Sequence, residues 1–388
     1  MGNNGFAGRI YGRVQPGFEV VKQAFEQNFE LWADRGAAFA AMQNGVLVVD
    51  LWGGVASDEC PWAEDTILNI FSGTKALVAG CILKLVETGR LSLDEPVCRY
   101  WPEFAQGGKG RVLVRHVLSH GAGVPGVTAE LSLDTLLDYE TVEELLAAQP
   151  LASDPYAFNC YHAFTIGWLC GALVRRIDGR SLGRFFHEEF ANPLALDTWI
   201  GLPVECEARV GIVRLAKDYP DWDANLTEAQ ASDPTRRSIW GNPPLFSEPL
   251  IWNQRRVRAA EIGGAGAISS ARSMARYLQC LVLGGELDGV RVLRPQTIEL
   301  GRTQISAFVD PFLNERMAFG AGFLVQSQLQ VLGQDPGAFG HTGAGGSVHG
   351  AWPAHHASFS YVMNELRADP HWTRTRPLLA ALEQAFAR

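Results

Sequence analysis

Strand-like stretches lie near both ends of this 388-residue chain, and helical patterns fill most of the sequence between them. In the N-terminal part, two apolar runs within 37–52 flank Asn44-Gly45, a pair that tolerates positive φ and is typical of a tight β-hairpin. In the C-terminal part, three further stretches are strand-like: 318–327, 337–346 and 358–363. We therefore expect one antiparallel sheet that is assembled from the two ends of the chain and covered by the terminal helices.

Helical periodicity predicts where the other elements lie. Apolar residues recur at helical spacing, or glycines end a helical pattern, in segments at about 16–34, 72–89, 112–120, 142–149, 163–178, 270–283 and 375–387. The segment 215–258 is polar and rich in proline and has no clear period, so we expect long loops there that form pocket walls. The patterns predict an α+β fold with two domains. Residues 1–79 and 266–388 would form an α/β domain with the antiparallel sheet at its centre, and 80–265 would form a mainly helical domain.

Composition and charge exclude several classes of function. The net charge is −9 and the basic residues are scattered, which argues against nucleic-acid binding. No apolar run reaches the roughly 18–20 residues of a bilayer span, and the N-terminus lacks a signal-peptide pattern, so we expect a cytoplasmic protein without a membrane partner. The seven cysteines form no CxxC pair, which favours reduced thiols. His116 and His120 are four apart, but Val117 stands where a metalloprotease motif has glutamate, so we predict neither a metal nor a cofactor.

A possible nucleophile lies in the segment 68–79, where Ser72 and Lys75 form a Ser-x-x-Lys pattern at the start of a predicted helix. Residues three apart share one helix face, so the lysine amine can reach the serine hydroxyl. Serine needs an adjacent base to become a good nucleophile, and lysine serves as that base only where its pKa is lowered. The pattern alone is frequent by chance, and a helix-capping serine with a solvated lysine is the alternative interpretation.

Two later motifs favour the catalytic interpretation. Tyr161-His162-Ala163 opens a predicted helix, and Gly340-His341-Thr342-Gly343 lies in a predicted strand. In this order the motifs resemble those of the serine β-lactamases and penicillin-binding proteins, which combine Ser-x-x-Lys with Tyr-x-Asn and with Lys-Thr-Gly or His-Thr-Gly. Within that superfamily the chain looks closest to the family VIII β-lactamase-like carboxylesterases, which the stretches 161–176 and 252–260 resemble.

The resemblance implies a β-lactamase/transpeptidase-like fold and a role for each motif. Ser72 would attack the acyl carbonyl, and Lys75 and Tyr161 would share the proton transfers, with the identity of the general base left open. The backbone N–H groups of Ser72 and Ala344 would form the oxyanion hole. Contacts to the substrate would come from His341, Thr342, Gly343, His162 and Trp252.

Two departures from the family pattern favour esters over antibiotic amides. Ala163 replaces the asparagine of Tyr-x-Asn and supplies no side-chain amide. His341 replaces the lysine of the third motif and is only partly charged at neutral pH, which weakens recognition of a substrate carboxylate. Aromatic residues of the middle region are expected to line an apolar acyl pocket: Trp101, Phe158, Trp240, Phe246 and Trp252.

These observations predict a carboxylesterase that hydrolyses short-chain esters through an acyl-serine intermediate. Its partner would be a small-molecule ester, with a β-lactam as a side substrate. Alternatives on the same site are β-lactamase, penicillin-binding, D-amino-acid peptidase or acyltransferase activity. A catalytically silent binding protein is the second alternative, although it has no chemical need for all three of Ser72, Lys75 and Tyr161. The Gly-x-Ser-x-Gly elbow of α/β-hydrolases has no complete copy, since the nearest stretch ends in His349.

Overall fold

The computed structural model describes residues 9–32, 34–155, 157–217, 219, 228–248, 250–368 and 372–387. Its strands are β1 (Ile10–Val14), β2 (Gly36–Gln43), β3 (Val46–Gly54), β4 (Leu68–Asn69), β5 (Thr198–Trp199), β6 (Arg214–Leu215), β7 (Ile268–Ser269), β8 (Glu286–Leu287), β9 (Val290–Arg291), β10 (Ser306–Val309), β11 (Arg316–Phe319), β12 (Leu324–Val325), β13 (Phe339–Gly343), β14 (Ser347–Trp352), β15 (Ala357–Met363) and β16 (Glu365–Leu366). Nine of them form one antiparallel sheet in the order β1-β3-β2-β15-β14-β13-β12-β11-β10.

The helices lie mainly between the two groups of strands. They are α1 (Glu19–Leu31), α2 (Thr74–Glu87), α3 (Val114–Leu118), α4 (Leu133–Leu137), α5 (Tyr139–Ala148), α6 (Thr165–Asp178), α7 (Leu182–Phe186), α8 (Glu228–Ala231), α9 (Pro234–Trp240), α10 (Arg255–Ala259), α11 (Ala271–Val282), α12 (Pro295–Arg302) and α13 (Thr375–Phe386). Within the described ranges, none of them combines the length and the hydropathy that a bilayer span requires.

The central sheet confirms the predicted union of the two chain ends. The β2–β3 hairpin turns at Asn44 and Gly45, whose φ angles of 50° and 82° are those that such a turn requires. Strand β2 also pairs with β15, with a register that runs from Ala37 opposite Met363 to Gln43 opposite Ala357. An N-terminal and a C-terminal strand are therefore neighbours at the centre of the sheet, and the sheet forms only after most of the chain has been synthesised.

Side-chain alternation along β15 shows how helices cover both faces of the sheet. The Ser358 hydroxyl donates to the Ala275 carbonyl of α11 at 2.7 Å, so this face packs against α11. Phe359 points to the opposite face and contacts Trp352, which in turn packs against Phe386 of α13. Because successive side chains of a strand alternate between faces, α11 and α13 lie on opposite sides of the sheet.

Helix α2 passes through the interior and joins the sheet to the helical region. Nearly all of its side chains are buried, as expected for a helix that is apolar on every face. It packs against α6, α7 and α12, and its N-terminal turn adjoins β13. The predicted helix from 72 to 89 is thus confirmed, while the division into domains 1–79 with 266–388 and 80–265 stays a prediction.

Three parts of the chain differ from the sequence-based expectation. The segment 215–258 is not made of loops alone, since it contains α8, α9 and α10; positions 218, 220–227 and 249 lie outside the described residues. The stretch 318–327 forms two strands, β11 and β12, because the chain turns at Gly322, where φ is +91°. Strands β1, β10 and β14 were not predicted, since none of them shows a clear alternation of apolar and polar residues.

A buried ion pair ties the last helix to the sheet. Arg374 Nη1 lies 3.1 Å from Asp34 Oδ1, and both side chains are almost completely shielded from solvent. The Tyr361 hydroxyl of β15 donates to the same carboxylate, and Arg374 also donates to the carbonyls of Gly345 and Glu365. The pair therefore connects α1, β15, the β13–β14 turn and α13 through charge-assisted hydrogen bonds.

We expect Arg374→Met to lower the free energy of unfolding by about 3–5 kcal/mol, because it leaves the Asp34 carboxylate buried without its cation. Urea denaturation followed by circular dichroism measures this change. The matched control is Lys22→Met, which breaks an exposed pair with Glu26 (3.9 Å) and should cost less than about 0.5 kcal/mol. Equal effects of the two substitutions would contradict the structural role of Arg374.

Candidate active site

Ser72 lies on a sharp turn between β4 and α2. The residue before it, Phe71, has φ of 47°, a left-handed conformation that is costly for a bulky side chain. Hydrogen bonds on both sides stabilise the turn: the Phe71 N–H donates to Asn69 Oδ1 at 2.7 Å, and the Thr74 hydroxyl donates to the Phe71 carbonyl at 2.6 Å. The turn projects Ser72 into a cavity at the N-terminus of α2.

Lys75 is buried directly beside Ser72. Its Nζ lies 3.0 Å from Ser72 Oγ, 2.8 Å from the carbonyl oxygen of Ala163 and 2.7 Å from that of Gly264. No carboxylate in the described part of the chain forms an ion pair with it. Burial without a countercharge lowers the pKa of Lys75 well below its ordinary value.

The two carbonyls define what the neutral amine can do. A neutral amine has two N–H donors and one lone pair, and the carbonyls of Ala163 and Gly264 take up both donors. The lone pair is then left for the third neighbour, the Ser72 hydroxyl. This arrangement is chemically suited to proton abstraction from the serine.

Tyr161 completes the group of side chains around Ser72. Its side chain interacts electrostatically with that of Ser72, and Lys75 Nζ lies 4.8 Å from the centre of its ring. Burial raises the pKa of Tyr161, so the phenol keeps its proton at neutral pH. The buried Asp310 carboxylate accepts a 2.7 Å hydrogen bond from the Tyr161 backbone N–H and holds this segment in place, just before α6 begins.

The backbone N–H groups of Ser72 and Ala344 are the candidate donors of an oxyanion hole. Both residues line the cavity, and neither N–H donates to an acceptor in the described ranges. Strand β13 approaches the serine turn so closely that a Cβ on Gly343 would lie 2.5 Å from the Ile70 carbonyl oxygen. Glycine is therefore required at this position for the strand to approach the serine turn so closely.

The cavity in front of Ser72 has a volume of about 400 Å³ and mostly apolar walls. Of the predicted site residues, it brings together Ser72, Tyr161, Thr342, Gly343 and Ala344, with Lys75 directly behind the serine. Of the predicted aromatic residues, Trp240 and Phe246 line it. Within the described ranges, no three His, Cys, Asp or Glu side chains are grouped as metal ligands.

Two histidines that are predicted to contact the substrate, His341 and His162, do not line the cavity. His341 is only 1% exposed and does not line the cavity; burial lowers its pKa to about 3, so the expected partial charge at neutral pH is wrong. His162 is also buried, and burial lowers its pKa to about 4. Its ring lies 2.6 Å from the Cys160 carbonyl and accepts from the Val124 N–H, which are contacts of a neutral structural histidine.

The predicted aromatic pocket is also smaller than expected. Trp252 is buried behind the wall, where it packs edge-on against Phe71, and Trp101 belongs to the core. Phe158 lines a neighbouring cavity instead. These large apolar residues satisfy their hydrophobic surface in the interior, and composition alone does not distinguish that outcome from pocket lining.

Several wall residues were missed by the sequence analysis. The turn between β10 and β11 contributes Phe312, Leu313 and Glu315, and the segment after β16 contributes Arg367 and Trp372. Neither segment contains a motif. In the sequence, Glu315 is a polar residue shortly before the strand-like run 318–327, a feature that is common in any surface turn.

Comparisons with known proteins identify the family of this chain. The profile of the beta-lactamase family matches residues 25–384. The esterase/beta-lactamase LipL of Mycobacterium tuberculosis is 32% identical over 368 residues, which cover 92% of this chain and 83% of that protein.

Solved structures give the same result over nearly the whole chain. A family VIII carboxylesterase superposes with a TM-score of 0.88 at 32% identity, covering 97% of this chain and 100% of the other. A penicillin-binding protein homologue from Caulobacter crescentus also has a TM-score of 0.88, at 34% identity and with the same coverage. The predicted resemblance and fold class are confirmed: this chain belongs to the beta-lactamase family.

Proposed function

We propose that this protein is a carboxylesterase that hydrolyses small esters through an acyl-Ser72 intermediate. The observation that carries the proposal is the buried Lys75 amine, which lies 3.0 Å from Ser72 Oγ and next to an apolar cavity and has no ion-pair partner among the described residues. The names of the similar proteins, an esterase/beta-lactamase and a family VIII carboxylesterase, support the same reaction class.

In the first step, Lys75 Nζ takes the proton of the Ser72 hydroxyl while Oγ attacks the ester carbonyl carbon. The negative charge that develops on the carbonyl oxygen is stabilised by the N–H groups of Ser72 and Ala344. When the tetrahedral intermediate collapses, the C–O bond to the alcohol breaks and the Tyr161 phenol gives its proton to the leaving alkoxide. The protonated Lys75 returns a proton to Tyr161, and water then hydrolyses the acyl-enzyme by the reverse sequence.

The lack of positive charge at the third motif supports hydrolysis of esters over hydrolysis of β-lactam antibiotics. A β-lactam carries a carboxylate, and His341 is buried and neutral, so this motif offers it no positive charge. Ala163 contributes only its backbone carbonyl, which Lys75 already occupies. Turnover of a chromogenic cephalosporin is therefore expected to be much slower than hydrolysis of p-nitrophenyl butyrate.

A catalytically silent binding protein is harder to reconcile with this site. Burying a lysine amine without a carboxylate destabilises the fold, and an apolar side chain of similar size would avoid that cost. Retention of Lys75 beside Ser72 therefore supports a chemical role.

We expect Ser72→Ala to reduce kcat/KM for p-nitrophenyl butyrate by at least about 10³-fold, because the nucleophile is removed. The parent protein should gain the mass of one acyl group on Ser72 when it is quenched in acid during turnover, as measured by peptide mass spectrometry. Ser57→Ala is the control, since Ser57 lies outside the cavity wall. An unchanged rate in Ser72→Ala, or an acyl group on another residue, would refute the assignment.

Lys75→Met should lower kcat/KM by at least about 10²-fold, the scale of a general-base contribution. Lys84→Met is the matched control, because Lys84 lies on the same helix but bonds to the Val292 carbonyl at 2.8 Å. In the parent protein, kcat/KM should fall as the pH drops through the pKa of Lys75, since protonation removes the base. That acid limb should lie well below the ordinary lysine pKa of about 10.4.

The substitution Tyr161→Phe should show whether Tyr161 acts as the general acid or as the general base. If the phenol protonates the leaving alkoxide, the loss of kcat/KM should be at least about 10-fold greater for ethyl butyrate than for p-nitrophenyl butyrate, whose leaving group needs no proton. Lys75→Met should slow both esters alike. Tyr277→Phe is the control, because Tyr277 is equally buried and donates to the Ala76 carbonyl. Equal losses on both esters in Tyr161→Phe would argue for Tyr161 as the base.

A further inference from the structure

One carboxyl group of the cavity wall has no partner among the residues that the structure describes. Glu315 lines the cavity and is half-buried, and it makes no side-chain hydrogen bond or ion pair with any residue in the described ranges. Burial and the nearby Asp310 raise its pKa, so the ionised carboxylate is held in an unfavourable environment. A cation in the cavity would relieve that cost.

The turn that carries Glu315 is fixed relative to Tyr161. The Asp310 carboxylate accepts hydrogen bonds from the N–H groups of Phe312 and Leu313 at 2.9 and 2.8 Å, and also from that of Tyr161. The Asp310 N–H in turn donates to the Glu315 carbonyl at 2.9 Å. Glu315 is thus positioned on the Tyr161 side of the cavity, close enough that its charge raises the pKa of the Tyr161 phenol.

The other charged residue of the wall is already paired. Arg367 forms an ion pair with Glu365 and donates to the Trp32 carbonyl. Among the described lining residues, Glu315 and Arg367 are the two with a charged side chain. The charge that the described part of the wall offers to a ligand is therefore negative.

The remaining wall is rich in aromatic rings, namely Phe164, Tyr219, Trp240, Phe246 and Trp372. The faces of such rings attract cations, and tryptophan does so most strongly. A carboxylate together with aromatic walls is the chemistry that recognises an ammonium group. A substrate anion, in contrast, would be repelled.

Building on the proposed esterase function, we propose that this cavity selects esters whose alcohol part carries an ammonium group, and that Glu315 is the residue that determines this specificity. The position of Glu315 indicates that the ammonium group belongs to the alcohol part of the ester. Tyr161 hands its proton to the leaving alkoxide, and Glu315 lies on the Tyr161 side of the cavity. The acyl part then occupies the remaining apolar wall.

Two isosteric acetates test the proposal: the acetate of 2-(trimethylammonio)ethanol and 3,3-dimethylbutyl acetate, which replaces the charged nitrogen by carbon. The parent protein should hydrolyse the cationic ester with a kcat/KM about 10-fold higher, the scale of one such charge interaction. Glu315→Gln should reduce that ratio at least about 5-fold. Glu286→Gln, at an exposed position outside the cavity wall, should leave the ratio unchanged.

A ratio of one or less in the parent, or a ratio that Glu315→Gln does not alter, would overturn the proposal while leaving the esterase function intact. If the parent hydrolyses neither acetate nor p-nitrophenyl acetate, the proposed function fails instead. Binding of the cation can then be measured without hydrolysis: tetramethylammonium should change the fluorescence of the wall tryptophans at matched ionic strength. Glu315→Gln should weaken that binding at least about 5-fold, and equal binding in both proteins would refute the role of Glu315.

Discussion

The desolvation of Lys75 is the constraint on which the proposed chemistry depends. An amine in water is protonated at neutral pH and cannot act as a base, so the protein must bury it and still satisfy its donors. The carbonyls of Ala163 and Gly264 meet that requirement, and they belong to segments far apart in the sequence. Neither Lys75 nor the turn before α2 can acquire its chemistry until the helical region has packed against the sheet.

The sheet provides the second candidate donor of the oxyanion hole, and this contribution also depends on segments that are far apart in the sequence. Strand β13 brings Ala344 to the serine turn, and the absence of a side chain at Gly343 permits the close approach. The following turn is held from behind, since Arg374 donates to the Gly345 carbonyl while it pairs with Asp34. A buried ion pair near the chain ends thus supports the position of a backbone donor in the candidate oxyanion hole.

The sequence was sufficient for features that depend on local pattern or on short motifs. The Asn44-Gly45 hairpin, the buried helix after Ser72 and the pairing of the two chain ends all follow from periodicity and turn chemistry. The burial of His341 could not be predicted in this way, because whether a strand residue is buried depends on its neighbours in the sheet and not on its own segment. The position of Glu315 in the cavity wall was not predicted either, because the Asp310 turn that carries it is linked to Tyr161 only in the folded chain. The hydrogen bond between Tyr161 and Asp310 spans 149 positions.

Burial of the basic groups near Ser72 determines how the site uses charge. His162, His341 and His349 are all kept neutral by burial, and Lys75 is pushed toward the same state. The interior behind Ser72 therefore carries little positive charge in the resting protein, and the carboxylate of Glu315 stands at the cavity wall in front of it. In such a low-dielectric setting, the transient oxyanion and the protonated Lys75 are the main charges that appear during the reaction. A substrate cation held at Glu315 would balance the negative wall without adding a charge next to the base, so selectivity and catalysis can use separate parts of one cavity.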